Sequence, residues 1–125
     1  MKERLVAFAA SALLAAAPGG SAEAPKKTPE LLERGRASFE RNCSACHGEK
    51  GAGDGIAAAA LSPKPRNFAT ERFKNGSKPA QIFETLKKGV PGSAMVPFTN
   101  LPEEERWALA YWVAELKGPG DAKKK

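Results

Sequence analysis

Both cysteines and the only histidine of this 125-residue chain lie in one short stretch, Cys43-Ser44-Ala45-Cys46-His47. The spacing Cys-x-x-Cys-His is typical of a c-type haem attachment site. Each cysteine sulfur can form a thioether to one haem vinyl group, and two intervening residues let one turn of backbone span both groups. His47 follows directly, where it can reach the iron. We therefore predict covalent attachment at Cys43 and Cys46, with His47 as the proximal iron ligand.

Other uses of these three side chains fit less well. A structural zinc site normally has four Cys or His ligands, and this chain can supply only three. A thioredoxin-like dithiol is expected beside a strand in a βαβ pattern, and no strand pattern surrounds the motif. A disulfide across so short a loop would be strained and would leave His47 without a role. A redox dithiol and a partial metal site remain as the weaker interpretations.

The N-terminus has the pattern of a secretory signal peptide. Lys2 and Arg4 precede an apolar stretch over residues 5–17, and small residues follow it. We expect a cleaved signal peptide over residues 1–22, with a cut after Ala24 as the alternative. The apolar stretch is shorter than the roughly 20 residues that span a bilayer, although an uncleaved anchoring helix remains open. The expected location is periplasmic or otherwise exported, as a soluble protein.

The rest of the chain is long enough for one small domain. We expect a flexible lead-in over residues 23–27, one domain over residues 28–118 and a basic tail over residues 119–125. The formal net charge of the chain is +6, which suggests acidic partners. Because the basic residues are scattered and accompany no nucleic-acid-binding motif, we predict no nucleic-acid partner.

Helical signals dominate the domain, and no segment is typical of a strand. Thr28 and Ser77 are predicted as N-caps, and Gly89 as a C-terminal stop. Gly35 falls inside the first helix, where glycine costs about 1 kcal/mol relative to alanine, so we expect a close helix crossing there. The predicted helices cover residues 29 to about 42, 79–88 and 102–117, with a short helical turn within 56–61.

Haem iron has two axial positions, and His47 can fill only one of them. A second histidine cannot fill the other, because the chain contains no histidine besides His47. Met95 is the only methionine beyond the predicted signal peptide, in an aperiodic loop that contains Pro91, Gly92 and Pro97. Methionine commonly fills gaps in apolar cores, and a lysine or water could occupy the sixth position instead. Beside a haem motif, however, we predict Met95 as the second axial ligand. Such a closed site exchanges single electrons and does not activate a substrate, so we predict no enzyme activity.

These motifs together resemble a class I c-type cytochrome, over about Thr28 to Lys117. The resemblance rests on Gly35-x-x-x-Phe39, the haem motif, the glycine loop, the Met95 loop, the aromatic last helix and the segment Pro63-Lys64-Pro65-Arg66-Asn67-Phe68. It implies a small all-α class I cytochrome c fold, with helices packed around one covalently bound haem c. It also implies that the first and last helices cross near Gly35, with Phe39 packed against Tyr111 or Trp107, and that His47 and Met95 are the axial ligands.

Two departures from the family pattern affect the site. The glycine loop is often followed by Gly-Pro, whose carbonyl accepts the N–H of the proximal histidine, but here residues 56–59 are Ile-Ala-Ala-Ala. Another carbonyl must therefore orient His47. The methionine loop has Val96 between Met95 and Pro97, whereas Met-Pro is common in the family.

The predicted function is that of an exported one-electron carrier, expected to be monomeric, that serves redox proteins with acidic docking surfaces. A haem-containing subunit of a membrane oxidase or dehydrogenase complex is the alternative, as is peripheral association with membrane respiratory complexes. A gas sensor or enzyme with a displaceable sixth ligand fits less well. A basic ring around the haem edge is a further hypothesis, with members Lys64, Arg66, Lys78, Lys87 and Lys88.

Overall fold

The computed structural model describes residues 23–118, and this part of the chain is helical without any strand. The predictions of a signal peptide over 1–22 and a basic tail over 119–125 lie outside the described residues. The all-α class is confirmed. The elements are helix α1 (Pro29–Asn42), helix α2 (Ser44–His47), a 3₁₀ turn (Ala58–Ala60), helix α3 (Pro79–Lys88) and helix α4 (Glu103–Leu116).

The start of α1 follows the sequence prediction. Thr28 has extended backbone angles, and its Oγ1 accepts the N–H of Leu31 at 3.1 Å. This bond satisfies one of the donors that a helix start leaves unpaired. Pro29 occupies the first helical position, where it loses no hydrogen bond.

The predicted cap of α3 was wrong by one residue, because Lys78 and not Ser77 is the N-cap. Pro79 opens the helix, and a proline favours extended backbone in the residue before it. Lys78 accordingly has φ −70° and ψ 146°. Gln81 completes the start of the helix, since its Oε1 accepts the Lys78 N–H at 3.1 Å. A glutamine three residues into a helix is a usual partner for such a reverse bond.

Helices α1 and α4 cross at Gly35, as the resemblance implied. A Cβ added to Gly35 would lie 2.1 Å from the carbonyl oxygen of Ala108 and 2.9 Å from Cβ of Trp112. Ion pairs flank the crossing, since Arg34 pairs with Glu104 at 2.6 Å, Arg41 pairs with Glu105 at 3.2 Å, and Lys27 pairs with Glu115. These ion pairs are largely exposed, so each contributes at most about 1 kcal/mol. The absent side chain, not the surface charge, determines how closely the helices approach.

Replacing Gly35 with alanine tests this crossing, because the close approach predicts a lower free energy of unfolding whereas helix propensity alone predicts a higher one. In an isolated helix the change stabilises by about 1 kcal/mol. At this crossing we expect destabilisation by about 1–3 kcal/mol, since the new methyl group would overlap a backbone carbonyl. Urea unfolding of the haem-loaded protein measures the change, with Ala37→Gly in the same helix as the propensity control. A more stable Gly35→Ala protein would contradict the close crossing.

Helix α3 packs against α4 and completes the apolar core. The rings of Phe83 and Trp107 stack with centroids 4.1 Å apart and planes 10° apart. The resemblance implied that Phe39 packs against Tyr111 or Trp107, and all three join the same core. The ring neighbours of Phe39, however, are Phe68 and His47. The buried cluster comprises Phe39, Cys43, Phe68, Ile82, Phe83, Leu86, Trp107, Leu109, Ala110 and Val113.

Within residues 23–118, no helix is both long enough and apolar enough to cross a membrane.

Candidate haem attachment site

The Cys-x-x-Cys-His motif forms a helical turn at the end of α1. Cys43 ends α1, where its N–H donates to the Phe39 carbonyl at 2.8 Å, and it also precedes α2. Its own carbonyl accepts the N–H of His47 at 2.8 Å and that of Cys46 at 3.2 Å. Residues three apart in a helix share a face. The turn therefore places the two sulfur-bearing residues on one side of the chain, as attachment to one planar group requires.

The glycine loop after the motif folds back onto the carbonyls of α2. Gly53 donates to the His47 carbonyl at 2.7 Å, Gly55 to that of Cys46 at 3.1 Å and Ala57 to that of Ala45 at 2.8 Å. These bonds satisfy the acceptors that a helix end leaves unpaired. At Gly55 a Cβ would lie 2.3 Å from the Ala45 oxygen, so only glycine allows this approach. The loop is thus tied to the haem motif through three consecutive carbonyls.

A backbone carbonyl from a distant segment orients His47. Its Nδ1 lies 3.4 Å from the carbonyl oxygen of Arg66, a long contact. Because a carbonyl can only accept a hydrogen bond, Nδ1 carries the proton, and Nε2 keeps its lone pair for a metal. Burial lowers the pKa of His47, and the Arg66 carbonyl opposes that shift. The neutral imidazole, which is the ligating form, is favoured.

The ring of Phe68 packs against the face of the His47 ring. The two rings stack with centroids 4.8 Å apart and an angle of 24° between their planes. The backbone of Phe68 is fixed by Gly51, because the Gly51 carbonyl accepts the Phe68 N–H at 2.7 Å. Gly51 has φ +74°, and a Cβ there would lie 2.4 Å from the Phe68 ring. Glycine is thus required by both backbone angle and space.

Both cysteines are free thiols, and no disulfide joins them. Cys43 is buried, whereas Cys46 is half-buried. Burial raises the pKa of the Cys43 thiol to about 12, with a smaller contribution from Cys46. The Cys43 sulfur is therefore a protonated thiol at neutral pH. An intact S–H is what must add across a vinyl double bond to give a thioether.

Met95 lies in the loop between α3 and α4, which backbone and hydroxyl bonds hold in shape. Its carbonyl accepts the Val90 N–H at 2.9 Å, and its own N–H donates to Oγ of Ser93 at 3.1 Å. The half-buried Met95 side chain packs against the cluster that contains Cys43 and Phe68. The structure thus brings Met95 to the same apolar region as the haem motif. Its ligation of iron, like that of His47, stays a prediction.

These residues fit a covalently bound haem. Two free thiols lie on one helical face, and the neighbouring imidazole has its Nδ1 occupied by a carbonyl and its Nε2 available. Cys43 belongs to an apolar cluster, and the thioether side chain of Met95 packs against that cluster. A zinc-type site is not supported, since no group of three or more His, Cys, Asp or Glu residues gathers within residues 23–118.

Sequence reasoning missed two parts of this site, the Arg66 carbonyl and the Phe68 ring. The signal for Phe68 was present, because the segment Pro63–Phe68 belongs to the family resemblance. The role of Arg66 depends on its backbone, and no side-chain pattern reports which carbonyl turns toward a histidine. The carbonyl that the sequence left unidentified is therefore that of Arg66.

Comparison with known proteins agrees with this site. The family described as "Cytochrome C oxidase, cbb3-type, subunit III" matches residues 30–113, which is more than half of the chain. Among solved structures, a chain of the Kuenenia stuttgartiensis reducing HAO-like protein complex is 32% identical and superimposes with a TM-score of 0.66. That alignment covers 83% of this chain and 49% of the other, so this chain spans about half the length of that relative. No curated protein matches.

The family match covers α1, the haem motif, α3 and most of α4. The fold and the motif geometry agree with it independently. The chain therefore belongs to this family of c-type cytochrome domains and is a class I c-type cytochrome, with haem c as its cofactor and electron transfer as its chemistry.

Proposed function

We propose that this protein is an exported, soluble one-electron carrier, with one haem c ligated by His47 and Met95, and that it is not an enzyme. The observation that carries the proposal is the position of Met95, which packs against the same cluster as Cys43. The bound haem supplies the ferric/ferrous couple. The residues of the chain hold it through two thioethers, keep His47 in its ligating tautomer and surround the site with apolar side chains.

A thioether in the sixth position is what favours a carrier over an enzyme. It leaves no coordination position for oxygen or peroxide and raises the reduction potential. The hydrogen bonds between the glycine loop and α2 support the same role, since a carrier must change oxidation state with little movement. Monomeric action, acidic partner surfaces and export through the 1–22 segment are parts of this proposal.

A haem-containing subunit of a membrane complex is the second candidate. Two findings favour it. The matching family is described as a cbb3-type oxidase subunit, and the relative is a chain of a protein complex, of which the alignment covers 49%. In that arrangement the domain would pass electrons within an assembly and would remain at the membrane.

Cell fractionation after expression with c-type cytochrome maturation separates the two candidates. We expect red protein of the signal-cleaved mass in the periplasmic fraction, and a redox titration that fits a single one-electron step. Protein that keeps residues 1–22 and stays with membranes after a high-salt wash would favour the subunit. Protein that is exported but shows no reversible one-electron step would contradict electron transfer itself.

A further inference from the structure

A cavity of about 570 Å³ lies at the start of α3, and no residue of the haem motif lines it. Its wall includes three exposed cationic side chains, Arg72, Lys74 and Lys78, and the half-buried ring of Phe73. We call this region the basic basin. None of the three cations forms an ion pair within residues 23–118. Their charge is therefore available to a partner.

The basic basin lies in the part of the chain where positive charge is concentrated. Residues 56–102 contain seven Lys or Arg residues and only two acids, Glu71 and Glu84. Both acids are already paired, Glu71 with Arg66 at 3.8 Å and Glu84 with Lys88 at 3.5 Å. Helix α4, by contrast, opens with three glutamates. Two of these glutamates are paired with arginines of α1, so unpaired positive charge at the basic basin is what can orient an approaching acidic protein.

Aromatic contacts connect the basic basin to the predicted iron ligand. The ring of Phe73 lies with its centroid 5.0 Å from that of Phe68, which in turn stacks on His47 at 4.8 Å. Electron tunnelling weakens steeply with each gap between atoms. A chain of rings in contact therefore makes the basin wall a favourable place for an electron to arrive.

We infer that the basic basin is the docking site for an acidic redox protein, with Phe73 as the contact nearest to the electron route. The inference rests on the proposed carrier function and specifies which surface serves it. In the exchange, one electron leaves the reduced partner and converts ferric haem iron to ferrous. No bond forms or breaks. The partner's carboxylates replace water around Arg72, Lys74 and Lys78.

The test compares two triple variants with equal change in net charge. The first carries Arg72→Gln, Lys74→Gln and Lys78→Gln. The control carries Lys26→Gln, Arg34→Gln and Arg36→Gln on and before α1. Reduced flavodoxin, an acidic flavoprotein, is the probe for stopped-flow reduction of each haem-loaded protein at several salt concentrations. Amide NMR of the unsubstituted protein with oxidised flavodoxin locates binding independently of electron transfer.

We expect the basin variant to be reduced about tenfold more slowly at low salt, within the roughly 10–1000-fold range of electrostatic steering. The difference should vanish near 1 M salt, where screening acts within about 3 Å. The reduction rate of the control variant should change little, and the amide NMR shifts should cluster at residues 72–81.

Equal slowing of both variants would show an effect of net charge and would overturn the docking site. Amide NMR shifts centred on other residues would overturn it too. A changed spectrum or reduction potential in the basin variant would instead assign these cations to the haem environment and also overturn it.

Phe73→Leu tests the electron route separately from docking. We expect unchanged flavodoxin affinity and a severalfold lower transfer rate at saturating flavodoxin. An unchanged saturated rate would refute the role of Phe73. If the unsubstituted protein binds flavodoxin at the basic basin but is never reduced by it, the carrier function fails while the docking surface stands.

Discussion

Replacing both Cys43 and Cys46 with serine should abolish covalent haem attachment. Serine is the oxygen counterpart of cysteine, but its hydroxyl does not add across a vinyl group, so neither thioether can form. Haem staining on a denaturing gel and the intact mass of the purified protein measure the result. We expect no haem-stained band, and an intact mass equal to that of the polypeptide without haem.

The single variants distinguish the two positions. Each should keep one thioether and remain stained on the gel, with an altered reduced-pyridine spectrum because one vinyl group stays unsaturated. Cys43→Ser should also destabilise the fold by about 1–3 kcal/mol, since it places a hydroxyl in the buried cluster; Cys46 is more exposed. Ala45→Ser is the matched control within the motif. A double variant that still carries covalent haem would contradict the assignment of these sulfurs.

Met95→Ala should open the sixth coordination position. With no other methionine in residues 23–118 and no second histidine, only water or a lysine could replace the thioether. We expect the loss of the weak far-red band that sulfur ligation gives ferric haem. The reduction potential should fall by on the order of 0.2 V, a fraction of the roughly 0.8 V that axial ligands span. Spectroscopic redox titration measures both.

The neighbouring side chain supplies the control for Met95. Val96 is 58% exposed and belongs to the same loop, so Val96→Ala should leave the band and the potential unchanged. If Met95→Ala also leaves both unchanged, Met95 is a packing residue and another group holds the sixth position.

The helices and the haem motif were predictable from the sequence because local rules determine them. Thr28 followed by Pro29 predicted the start of α1. Gly35 predicted a close helix crossing, and the family resemblance implied that α4 is the partner, as the structure shows. The cap of α3 was misplaced because serine is the commoner capping residue. Pro79 and the reverse bond from Gln81 outweigh that preference.

The support of His47 could not be predicted because it depends on contacts between distant segments. The Arg66 carbonyl and the Phe68 ring lie against His47, next to the glycine loop that bonds to the carbonyls of α2. The ring neighbours of Phe39 depend on the same packing. The basic basin is likewise a product of the fold, although its cations and Phe73 are close together in sequence.

The most direct test of a closed, electron-carrying haem is the effect of carbon monoxide on the reduced, unsubstituted protein. If His47 and Met95 both hold the iron, the visible spectrum of the ferrous protein should not change when carbon monoxide is added. A shift of the Soret band under carbon monoxide would mean an open or easily displaced sixth position. It would contradict the carrier and favour a sensor or an enzyme.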